Sequence, residues 1–143
     1  MKKTVFKLGM AIVISIIVIS LFITAIIMVP IKINDYNLGK YKEEVLANIN
    51  LPEKTELVEY VAGCGNSTGG GDHTDLYVAV LLKSELSWEE LSKTFGRVQI
   101  INGEDNKTIP MYNMNLEFKT KTDGEGYYIA EFRKPGILDW RGC

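Results

Sequence analysis

The chain has 143 residues, 46 % hydrophobic and 24 % charged, with a formal net charge of −2, one histidine and two cysteines. Beyond its first 31 residues it carries thirteen basic against eighteen acidic side chains. That balance argues against nucleic acid, which needs a basic footprint, and against an anionic membrane surface as the main ligand.

Leu8 to Ile31 contains no charge, and Lys7 and Lys32 bracket it. Its lipid-embedded part, residues 8–29, would form a helix of about 33 Å, enough to cross a hydrocarbon core of about 30 Å. A secretory signal has a shorter apolar region, about 7–15 residues, ending at small residues with A-x-A spacing; the end of this run has no such pair. A lipoprotein signal needs a cysteine just after the run, whereas the first cysteine is Cys64. The sequence therefore predicts a basic tail (1–7), a single transmembrane helix (8–29), a juxtamembrane helix or stalk (30–50) and a domain (51–143). Lys2, Lys3 and Lys7 place the N-terminus in the cytoplasm and the domain outside the cell membrane.

After the span, Asn34 and Asp35 are capping types, and Leu38, Tyr41, Val45 and Ile49 recur at helical spacing, predicting a separate short helix over 37–48. Residues 55–64 read as a strand with Val58, Tyr60, Ala62 and Cys64 on one face, Leu57 and Val61 on the other. Residues 75–83 are apolar on both faces and should be central in the sheet. Ser87 and Glu90 form a capping box, with Leu86 and Leu91 as its hydrophobic staple, predicting a helix from Trp88 to Phe95 that stops at Gly96. A strand over 97–101 should end at the turn pair Asn102-Gly103. Residues 114–120 alternate as a half-exposed strand, and 127–134 are expected to return as its hairpin partner across Asp123-Gly124 and Gly126. The class is α+β, with a mostly antiparallel sheet of about five strands and two helices. The strand–helix–strand unit from Asp75 to Ile101 should add one parallel or crossover relation.

Residues 63–75 concentrate the polar chemistry. Gly65-Asn66-Ser67-Thr68-Gly69 matches the letters of a nucleophile elbow, but a strand precedes it with no helix after it, in a domain too small for that fold. A phosphate loop would need a lysine beside Ser or Thr at a helix start. Cys64, Asp72, His73 and Asp75 are ligand types without paired Cys or His spacing. No cofactor, metal or catalytic set is expected. The reading is a long hairpin loop whose Asn66, Ser67, Thr68, Asp72 and His73 form a partner surface. Asn66-Ser67-Thr68 and Asn106-Lys107-Thr108 fit the N-glycosylation pattern, which has meaning only in a eukaryotic secretory pathway. Cys64 and Cys143, both on the exported side, are a candidate disulfide.

These features predict a non-enzymatic, membrane-anchored binding or accessory module with a protein or cell-envelope partner. The alternatives are a small hydrolase or metal-dependent enzyme centred on residues 64–75, or an immunity- or inhibitor-type protein. The resemblance to small single-span envelope proteins is one of layout and not of motif.

Overall fold

A computed structural model describes residues 2–65, 74–100, 108–111, 114–122 and 125–136. Helix α1 runs without a break from Lys2 to Asn48, about 70 Å at 1.5 Å per residue. The expected separate helix over 37–48 is instead the C-terminal end of the helix that contains the apolar run. Asn34 and Asp35 cap nothing; Asn34 is wholly buried and Asp35 is exposed within the continuous helix. Pro30 lies inside α1, where its ring removes one backbone donor without ending the helix, as membrane helices tolerate. At the far end the Asn48 Nδ2 donates to the Glu44 carbonyl at 2.7 Å.

Strands β1 (Thr55–Gly65), β2 (Asp75–Ser84), β3 (Val98–Ile100) and β6 (Tyr127–Pro135) form one sheet in the order β1-β2-β6-β3. Every pairing is antiparallel. β2 is central, as its two apolar faces require, and Leu76 to Leu82 are buried without exception. Helix α2 (Trp88–Phe95) carries β2 to β3 across the intervening β6. Because β2 and β3 are both antiparallel to β6, they run parallel to each other, which is the crossover relation expected of this unit. The α2 cap is complete: the Ser87 hydroxyl accepts from the Glu90 N–H, and the Glu90 carboxylate accepts from the Ser87 N–H at 2.9 Å. Gly96 ends the helix at φ +74°, a conformation that costs a side-chain-bearing residue strain. The Trp88 indole N–H donates to the Val98 carbonyl at 2.9 Å and ties α2 to β3.

Two expectations are corrected. Residues 114–120 do not pair with β6. Strand β5 (Met114–Glu117) pairs instead with β4 (Thr108–Met111), an element absent from the sequence reading. The apolar β2 needs a long partner on each edge, and β6 fills the second one. The β4–β5 pair then lies across the sheet, with Ile109, Leu116 and Phe118 packed on Tyr77, Ala79, Leu81 and Ile129. Within β1, a register shift between Leu57 and Glu59 inserts an extra residue. This puts Leu57 on the helix side and Val58 on the β4–β5 side, because one inserted residue inverts the two-residue phase of a strand.

The domain therefore has three layers. α1 and α2 cover one face of the sheet, through Tyr41 and Val45 on Cys64, Leu76 and Val78, and through Leu91 on Val80 and Leu82. The β4–β5 pair covers the other.

Candidate functional site

The contacts of α1 set the direction of the sheet. Leu38, Tyr41 and Val45 meet Cys64, Leu76 and Val78, whereas Leu46 and Ile49, farther along the helix, share a cluster with Leu57, Val80 and Leu82. β2 thus runs alongside α1, away from the apolar span, and β1 and β6 run back toward it. The end of β1, the start of β2 and the end of β6 form one edge of the domain, on the side of the span. Gly65 pairs with Asp75, and Asp75 with Pro135.

Burial along α1 follows one face. Residues 9–29 are exposed; Pro30 and Ile31 are partly covered, Asn34 fully, then Asn37, Leu38, Tyr41 and Val45. These positions form one stripe at three- and four-residue spacing, the signature of a helix face against a neighbour. The Lys134 ammonium adds an ion pair to Glu44 at 3.3 Å and stands 5.5 Å from the centre of the Tyr41 ring.

Asn66, Ser67, Thr68, Asp72 and His73 lie outside the described residues, and so does Cys143. What the structure places is the base of their loop. Thr74 is buried beside it, and its carbonyl accepts from the Gly136 N–H at 2.7 Å. A Cβ on Gly136 would stand 2.6 Å from that carbonyl oxygen, so the two strand ends close on each other only with glycine here. Cys64 is buried at 2 % exposure, and no free cysteine stands among the described residues. Gly136 lies at the same edge two strands away, about 10 Å at the usual strand spacing. The seven residues from there to Cys143 span at most about 24 Å extended, so the two sulfurs are within reach.

One cluster was missed by the sequence reading. The Glu131 carboxylate is wholly buried on the β4–β5 side of β6, held by Arg97 Nε at 3.2 Å and Arg133 Nη2 at 3.3 Å. The Gln99 amide also donates to it. Arg133 lies over the Tyr77 ring at 5.1 Å. Burial, then the Glu131 charge beside it, raises the Tyr77 phenol well above its ordinary value. The available signal was a glutamate two residues after Ile129, at an inward position of an apolar strand face. Chemically this is a carboxylate held by three side-chain donors of its own fold.

At the opposite end, a cleft of about 470 Å³ is lined by Lys54, Glu56, Lys83, Glu85 and Glu125 among others. Lys54 is the residue with positive φ there, at 65°, and it pairs with Glu85 at 3.3 Å. Among the described residues no three His, Cys, Asp or Glu side chains could together hold a metal ion.

No protein-family model, curated protein or solved structure matches the chain.

Proposed function

We propose that this chain is a membrane-anchored, exported binding module, with its N-terminus in the cytoplasm and its domain outside, acting on a protein or cell-envelope partner through the edge that carries residues 66–73. The observation behind this reading is the continuity of α1. A helix long and apolar enough to cross a membrane leads into the domain core with no linker, and its Tyr41 and Val45 belong to that core. A cleaved signal would have to be cut within this helix, close to Asn34. A binding role is favoured over catalysis because the buried carboxylate at Glu131 is occupied by its own donors and the loop has the composition of an adaptable surface.

The test shortens residues 66–73 to a two-residue turn in the full chain. The domain should keep its melting behaviour, because the paired strands carry the core, and should lose its cross-linked partner in intact cells. Retention of the partner refutes the role of this edge. Covalent labelling of Ser67 by a serine-hydrolase probe, or zinc held stoichiometrically and lost in His73→Ala, supports the enzyme reading instead. Protease added to intact cells should trim the domain; cleavage only after lysis reverses the orientation.

A further inference from the structure

The side of α1 turned away from the domain carries its own pattern. Lys32, Tyr36 and Lys40 follow each other at four-residue spacing and form one stripe opposite Asn34, Leu38 and Tyr41. All three are exposed, Tyr36 at 62 %. Helical side chains lean toward the N-terminus, here toward the membrane, and the Lys40 ammonium accordingly sits 4.6 Å from the centre of the Tyr36 ring, one turn below its own backbone. Counted from Val29, where the lipid-embedded part ends, the Tyr36 backbone stands about 10.5 Å along the helix axis. The headgroup layer extends about 5–8 Å beyond the hydrocarbon on each side. The leaning Tyr36 ring and the Lys32 ammonium therefore fall within that layer, and the Lys40 ammonium, 4.6 Å from the ring centre, at its outer edge.

We infer that Lys32, Tyr36 and Lys40 form a phospholipid-binding stripe: the two ammonium groups take lipid phosphates on either side of the tyrosine ring, which lies among the headgroups. This rests on the reading of residues 8–29 as an uncleaved span, and adds what the proximal part of the protein touches. Tyrosine and lysine are the residues that membrane interfaces favour, for an apolar body with a polar tip and a long stem with a charged head. The stripe also fixes rotation about α1, since lipid on one side of the helix leaves the domain on the other. The acidic balance of the whole domain does not oppose this. Glu43, on the same side, stands about 18 Å from Ile31, beyond a Debye length of about 8 Å in physiological salt. Asp35 is the near acidic group; it pairs with Lys32 at 3.8 Å and weakens that lysine's contribution without cancelling the second.

The experiment uses the full chain in bilayers of equal phosphatidylcholine and phosphatidylglycerol, with spin-labelled versions of each lipid as probes. The wild type should favour the anionic lipid about threefold, and Lys32→Gln/Lys40→Gln should bring the ratio near one. Lys83→Gln/Lys93→Gln, removing the same charge far from the membrane, should leave the ratio unchanged. In parallel, the fluorescence added by Tyr36→Trp over the wild type should be quenched by a headgroup-labelled lipid and shielded from iodide. Equal ratios in wild type and Lys32→Gln/Lys40→Gln, an equal loss in the distal pair, or free quenching by iodide each overturn the stripe while leaving the anchor intact. A chain absent from the bilayer overturns the anchor as well.

Discussion

Glu131 concentrates more of the domain's electrostatics than any other described side chain. A charge at a position with no solvent exposure persists only when donors replace water, and here Arg97, Arg133 and Gln99 do so. Glu131→Ala should destabilise the domain by about 3 kcal/mol, at the low end for a broken buried pair because the Arg97 side chain is 58 % exposed. Denaturant titration of the detergent-solubilised chain measures this. Glu59 gives a pH effect of definite sign. Partial burial raises its pKa, but the backbone N–H groups of Thr120 and Lys119, donating at 2.9 to 3.1 Å, outweigh that and hold it below the ordinary 4.5. A depressed folded pKa contributes stability that is present above the ordinary value and lost as pH falls through the folded one. The denaturation midpoint should therefore fall on acidification below about pH 4.5, and Glu59→Gln should flatten that limb. An unchanged acid limb in Glu59→Gln would assign the slope to other carboxylates.

At the scale of elements, α1 has two parts. The first is an exposed apolar run long enough to cross a membrane and the last meets the sheet, so equivalent substitutions should differ by position. Tyr41→Ala or Val45→Ala removes a side chain nine-tenths buried on Val78 and Leu76 and should cost the domain about 2–4 kcal/mol. Ile17→Ala, in the exposed apolar part, should leave the melting of the domain unchanged. Equal effects at the two sites would mean that α1 does not belong to the core. The capping box of α2 was legible in four residues because a cap is satisfied within one turn. The β4–β5 pair was not. Residues 114–117 alternate equally well for a partner at 108–111 or at 127–135, and the choice rests on β2, which lies far away in sequence.

At the scale of the molecule, the edge on the side of the apolar span brings together Cys64, Thr74 and Gly136. A bridge between the two cysteines would close about 80 residues and stabilise the domain by about 4–5 kcal/mol through loop-closure entropy. Mass spectrometry without reductant should then yield a linked peptide pair. Cys64→Ser and Cys143→Ser should lower the melting temperature equally, because each removes the same link. Two free thiols after purification without reductant would end the proposal.

By itself, the sequence determined what depends on neighbours along the chain: the uncharged span, the α2 cap and its glycine stop, the two-sided apolarity that makes β2 central, and the crossover implied by strand, helix and strand. Each is satisfied within a few residues or by one pattern repeated without interruption. The tertiary structure decided whatever is a competition between distant segments. It joined the span to the stalk, since covering Tyr41 and Val45 needs the sheet; it gave β6 to β2 and β5 to β4; it inverted Leu57 and Val58 through a bulge; and it buried Glu131, whose donors Arg97 and Gln99 arrive from β3 and the residue before it, more than thirty residues away. It also turned the edge formed by the end of β1 and the start of β2 toward the apolar span. That direction follows from β2 running alongside α1, a contact between segments that local pattern cannot encode.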